Sequence, residues 1–275
     1  MISRRTLVSV LCICCGFAAA AQLWFPFAHT QQSSAPAASR RPVLVELFTS
    51  EGCSDCPPAD ALLARLDSTQ PIAGAEAIVL SEHVTYWNHE GWRDPFSFDD
   101  IDQRQQQYQR EFSLNDVYTP QAVVDGAEQF VGSDGGRMTS AIAHAAATPK
   151  VELHIVNAHL EPNGSIDFSV RAGAGAKGSL IAALAANATV SEVARGENAG
   201  RTLHHVAVVR VIREFGGNAV DGRALHLSSA QTSGNSTGPL RLVAFLVNSS
   251  NGHVTAAAEE TLDARAQAAP AQAAK

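Results

Sequence analysis

The chain has 275 residues, enough for one or two domains. Apolar residues make up 45% and charged residues 17%, a composition that supports a packed core and excludes a wholly disordered chain. With 20 Lys and Arg against 27 Asp and Glu, a net charge of −7 and no dense basic run, nucleic acid and anionic membrane surfaces are not expected partners.

The first segment reads as a targeting signal. Arg4 and Arg5 precede an apolar run, Thr6–Ala20, that ends in the small residues Ala18, Ala19 and Ala20. The string Ser3-Arg4-Arg5-Thr6-Leu7 also fits a twin-arginine export signal. Apolar residues resume at Leu23–Phe27, so an uncleaved anchor is the alternative. Residues 1–28 are therefore expected to be a signal peptide or N-terminal anchor, and 29–41, rich in Ala, Pro and Ser, a linker. On either reading the folded part is periplasmic or secreted, and an uncleaved segment would hold it to the membrane.

Pro42–Thr49 is apolar and β-branched, the pattern of a buried strand. Pro57 and Pro58 suit a first helical turn, and Leu62, Leu63 and Leu66 line one face of the helix that follows. Ala77–Val84 predicts a second strand. Asp99–Phe112 predicts an amphipathic helix through Ile101, Tyr108 and Phe112. Pro120–Val124 and Glu128–Val131 predict a hairpin about Asp125-Gly126, and Asp134–Ala147 a last helix. The order over 42–148 is βαβαββα. Residues 150–262 differ: short alternating segments separated by turn signals predict an antiparallel β-sandwich-like domain. Residues 263–275 read as a disordered tail.

Cysteine usage carries the chemistry. Cys12, Cys14 and Cys15 lie in the signal region, which leaves Cys53 and Cys56 to the exported part. A disulfide across two intervening residues closes a very small loop and removes little unfolded-state entropy, so stapling is a poor reason for the pair. Redox chemistry or metal binding is a better one. The pair sits at a strand-to-helix junction, where unpaired N–H groups and the helix dipole favour a thiolate at Cys53. Asp55 opposes this by like-charge repulsion. A closed zinc site needs two further ligands, and two thiolates could hold Cu(I) with few more. His83 and His89 lie within reach in sequence, yet no second CxxC and no HxxxH supports a cage, so no metal or cofactor is assigned.

Glu46 interrupts the apolar run Val43–Phe48, and the alternatives are a buried proton acceptor or a strand-end residue facing solvent or paired with Arg. Gly173-x-Gly175-x-x-Gly178 formally matches a dinucleotide fingerprint, but no helix pattern follows, so a glycine-rich turn is the reading. The polar loop Arg195–Arg201 either reaches the Cys pair or serves as turn chemistry. No GxSxG elbow and no P-loop is present.

Four strings carry a resemblance: VELFTSEGCSDCPPAD, HVTYWNHEGWRDPF, VYTPQAVVDG and RGENAGRTLHHVAVVR. Residues 42–148 resemble a thioredoxin-like domain, and the whole set is similar to the exported bacterial family called domain of unknown function 1223. That family pattern carries acids where this chain has Thr85 and Asn88, so a ligand held by those acids is not expected here. The resemblance to thioredoxins implies Cys53 as attacking thiol, Cys56 as resolving thiol, Glu46 as a buried proton acceptor, and Thr119-Pro120 as a cis-proline platform against the pair. It also implies an insertion near Tyr86–Phe98. The function so implied is an exported thiol–disulfide oxidoreductase acting on protein or small-molecule thiols and disulfides, in either direction. A membrane redox partner is required if it reduces. The alternatives are a partner-binding module with a static disulfide and a thiolate Cu or Zn protein.

Overall fold

The computed structural model describes residues 40–228 and 238–262. The expected signal segment, most of the linker and the C-terminal tail lie outside the described residues.

The first half follows the expected order. Strand β1 (Arg41–Thr49) leads to helix α1 (Pro57–Thr69), then β2 (Ala75–His83), α2 (Asp99–Glu111), β3 (Gln121–Val124), β4 (Glu128–Val131) and α3 (Gly135–Ala147). Each helix end has a local cause. Prolines open α1, and its chain reverses at Gln70 in the left-handed region. Asp99, Asp100 and Asp102 sit in the first turn of α2 and Arg110 in its last, matching the helix dipole. The Asp134 carboxylate accepts from the Arg137 N–H at 2.9 Å and caps α3.

The second half supplies β5 (Leu153–Leu160), β6 (Ile166–Ala172), β7 (Ser179–Glu192), β8 (Thr202–Phe215), β9 (Asp221–Leu227), β10 (Leu240–Val247) and β11 (Val254–Leu262). Eight strands form one mixed sheet in the order β11-β10-β7-β8-β2-β1-β3-β4, and three form a separate antiparallel sheet, β5-β6-β9. The two halves thus share a sheet, joined where Ser81 of β2 pairs in parallel with Val208 of β8. β1 pairs in parallel with β2 and antiparallel with β3.

Alternation along β1 divides the core. Val43, Val45 and Leu47 pack with α1 and α3, whereas Leu44 and Phe48 pack with α2 and with residues of β7, β8 and β10. A third cluster joins the small sheet to the outer face of β7 and β10 through Phe168, Leu184 and Leu242. Gly178 stands at the start of β7 with φ +109°, followed by a strand and no helix, which removes the dinucleotide reading. A Cβ there would lie 1.9 Å from the Val247 carbonyl oxygen, so only glycine fits.

Candidate functional site

Cys53 and Cys56 form a disulfide, with Cα atoms 5.5 Å apart, in the turn between β1 and α1. α1 starts at Pro57, as the proline pair predicts: Cys56 is its N-cap residue, and its carbonyl accepts from the N–H groups of Ala59 and Asp60. Cys53 lies a turn upstream, its carbonyl accepting from the Cys56 N–H at 3.3 Å. Cys53 is 2% exposed and Cys56 is fully enclosed, while Ser54 and Asp55 between them face solvent.

The Thr119-Pro120 peptide bond is cis. Pro120 is buried, and a Cβ built on Gly132 would lie 3.4 Å from its Cβ and 3.3 Å from that of Ala59 in the first turn of α1. The proline is therefore brought to the same end of α1 as the Cys pair. Thr119 accepts at Oγ1 from Trp87 Nε1 at 2.7 Å, and Trp87 packs over Gly52. Trp87 and Trp92 come from the long connection between β2 and α2, the insertion expected from the sequence.

Glu46 is buried, but it faces the side of the sheet opposite α1. Its carboxylate accepts from Arg104 Nε and, at 2.5 Å, from the Tyr108 hydroxyl, both on α2. Glu82 of β2 shares this interior with Arg104 Nε 4.0 Å away, and neither of its carboxylate oxygens has a hydrogen bond. Burial, then the Glu46 charge, push the Glu82 carboxyl well above the usual range. Thr85 donates its N–H and hydroxyl to Asp102, and Asn88 bonds Ser97 and Asp94, so both residues serve local structure.

The buried acids beside the Cys turn are Glu51 and Asp60. Glu51 accepts at Oε2 from Trp92 Nε1 (2.7 Å) and Ser191 Oγ (3.1 Å), and its Oε1 lies 3.3 Å from His205 Nε2. Asp60, one turn beyond Cys56 on α1, accepts from Thr49 Oγ1 at 2.9 Å and stands 3.8 Å from His205 Nδ1. Burial works against a charge on His205, but the flanking Asp60 and Glu51 carboxylates outweigh it and push its pKa up to about 10. Next to it, His83 pairs with Asp94 at 2.7 Å and meets the His205 ring edge to face, with centroids 4.7 Å apart. Asp94 also accepts from the Glu51 and Phe96 N–H groups. Burial would raise its carboxyl, but His83 and these bonds hold it below the usual range. His89, by contrast, is an exposed loop residue. Among the described residues, no three His, Cys, Asp or Glu side chains converge to hold a metal ion.

The loop Arg195–Arg201 does reach the pair. It is the tip of the β7–β8 hairpin. Asn198 Nδ2 donates to the Glu51 and Cys53 carbonyls, each at 2.9 Å, and Glu197 accepts from the Ser54 N–H at 3.0 Å. Periodicity gives no sign of Glu51, Asp60, Asn198 or His205. Their traces are their places inside the first and last of the four family strings and, for Asn198, in the polar loop Arg195–Arg201.

Residues 44–247 match the family model described as a protein of unknown function, DUF1223. The chain belongs to this family. As a DUF1223 member it is also similar in structure to protein AGR_C_4864 from Agrobacterium tumefaciens, with 22% identity over 82% of this chain and 95% of that one and a TM-score of 0.58. HBP35 of Porphyromonas gingivalis is similar at 16% identity over 83% of this chain and 77% of that one, with a TM-score of 0.53. At these identities the likeness is one of fold alone. Among curated proteins, none matches the chain.

Proposed function

We propose that this DUF1223 protein is an exported thiol–disulfide exchange protein whose reactive group is Cys53–Cys56. The observation that carries the reading is a CxxC disulfide at the start of α1, with a cis-proline brought to the same end of that helix. The order β2-β1-β3-β4 with three helices is that of a thioredoxin-like domain, which supports the same reading of 42–148. We read 150–262 as a sandwich-like partner whose outer sheet covers β7 and β10.

In the exchange, the Cys53 thiolate attacks one sulfur of a partner disulfide, and the partner's other sulfur leaves as a thiolate. The Cys56 thiolate then attacks Cys53 Sγ and expels the second partner sulfur. The pair is oxidised and the partner reduced by two electrons, and the reverse sequence transfers a disulfide outward. Thr119 and Pro120 form the backbone platform beside the pair. Glu46, occupied by Arg104 and Tyr108, anchors β1 to α2, and Glu51 and Asp60 are buried carboxylates flanking the turn.

The deep burial of both cysteines favours a second reading, a permanent structural disulfide. Titration in glutathione buffers, with alkylation trapping and mass readout, separates the two. A reversible transition between about −120 and −270 mV supports exchange, and a disulfide that stays closed across that range overturns it.

A further inference from the structure

The last residues of β7 and the first of β8 extend beyond their neighbours. β10 pairs with β7 only as far as Ala186, and β2 meets β8 only at Val208, yet β7 and β8 stay paired out to Glu192 and Thr202. This two-stranded arm ends over the Cys turn. Its tip is held in shape by its own backbone, with Val193 N–H donating to Arg201 O (3.0 Å), Gly200 N–H to Val193 O (2.7 Å) and Arg201 N–H to Asn198 O (3.1 Å). Arg201 also donates to Asn198 Oδ1 at 3.0 Å and aims its amide at the Cys turn. Asn198 is fully buried and spends both amide hydrogens on the carbonyls of Glu51 and Cys53. On the other side Gly196, with φ +77°, lies against the insertion, where a Cβ would come within 3.1 Å of Trp92 Cβ and the Glu90 carbonyl.

The tip is thus a preformed unit fastened to the backbone of the turn by three side-chain hydrogen bonds, one of them to Cys53, which is itself buried. Exchange requires a partner sulfur to touch Cys53 Sγ. We propose that the β7–β8 tip is the gate that selects substrates for Cys53, with Asn198 as its latch: small thiols and disulfides reach the sulfur, while bulky protein disulfides wait for the tip to lift. This rests on the exchange reading for its purpose but not for its test.

The test measures access directly. The full chain, reduced with a phosphine that is then removed, is alkylated with N-ethylmaleimide or with a maleimide carried on a polyethylene-glycol chain, and modification at Cys53 is followed by peptide mass. The native protein should react far more slowly with the bulky reagent. Asn198→Ala should narrow the gap by about ten- to a hundredfold, since two latch hydrogen bonds are lost from the closed form. Glu197→Ala, which removes one exposed side chain and one bond, should narrow it by less, about threefold to tenfold. It decides the matter if Asn198→Ala fails to fold. A size gap unchanged in a folded variant overturns the gate. Glutathione titration of the same samples keeps the two ideas apart: a narrowed gap without reversible exchange leaves the gate standing and removes the exchange reading.

Discussion

His205→Gln gives the sharpest test of the charge arrangement behind the Cys turn. His205 is 3% exposed, lies between Glu51 and Asp60, and has its pKa pushed up to about 10. A histidine whose folded pKa exceeds its unfolded value adds stability that is complete below about pH 6.5 and is lost as pH rises through about 10. At about 1.4 kcal/mol per pH unit, the span corresponds to about 5 kcal/mol below pH 6.5 and about 4 kcal/mol at pH 7. Gln keeps the size and removes the charge, leaving two buried carboxylates without their cation. Urea unfolding of the oxidised protein at pH 6.5, 8.5 and 10.5, followed by tryptophan fluorescence, reads the effect. The native-minus-variant gap should be widest at pH 6.5, and its charge-dependent part should fall to a few tenths of a kcal/mol at pH 10.5. Lysines and tyrosines that titrate in this range are common to both proteins and cancel in the gap. The groups facing His205 are Glu51, Asp60, His83 and Phe96, with Arg210 over the Phe96 ring. A gap of constant size across the three pH values would refute the reasoning, because packing loss alone carries no such pH dependence.

Other substitutions probe the remaining buried charges and one close approach. Arg104→Met leaves Glu46 and Glu82 enclosed without a cation and should cost about 3–5 kcal/mol in urea unfolding at pH 7. Tyr108→Phe removes one hydroxyl from the Glu46 carboxylate and should cost about 1.5–3 kcal/mol in the same assay. Glu82→Gln should do the opposite at alkaline pH. Its raised folded pKa means native stability falls as pH climbs above about 4.5, so the variant should be the more stable at pH 8, with the advantage shrinking toward pH 4.5. Gly178→Ala forces a Cβ to 1.9 Å from the Val247 carbonyl at φ +109° and should lower stability by about 1–3 kcal/mol, seen as a lower thermal midpoint.

Hydropathy patterns are enough to read β1 through α3, because β1, β2 and β3 are short apolar runs buried on both faces and the helices bury one face at the helical period. They said less about the second half. Leu180–Ala185 is the apolar part of β7, but the strand runs on to Glu192, through Asn187 and Ser191, where it leaves the main sheet and only β8 pairs with it. The join of β8 to β2 rests on a single parallel pair, Ser81 with Val208, and no alternation pattern specifies which sheet edge a strand will choose. Glu46 was legible as a buried acid, yet its partners follow from parity: it shares a face with Leu44 and Phe48, which pack toward α2, whereas α1 covers Val45 and Leu47. The CxxC turn was legible from residue types. Its enclosure was legible only as one alternative for the polar loop Arg195–Arg201, because Asn198 and His205 make their contacts across 145 and 154 residues of chain and hydropathy pattern does not report such pairings.

The placement of the buried charges bears on what the disulfide is for. Enclosed ionisable groups cost stability unless they are paired, and a structural disulfide has no need of them. Here Glu51, Asp60, His83, Asp94 and His205 are all enclosed around the Cys turn, and they come from the turn itself, α1, β2, the insertion and β8. Asp94 holds the Glu51 N–H, Asn198 holds the Glu51 and Cys53 carbonyls, and Asp60 sits one turn beyond Cys56. Such groups concentrate where protons or thiolates must be managed. Because His205 and Asn198 belong to the second half, residues 42–148 alone would leave Glu51 and Asp60 without their cation and the Cys turn without its cover. The sheet that joins the two halves is therefore part of the site: it fixes the β7–β8 arm, and the arm brings both residues to the turn.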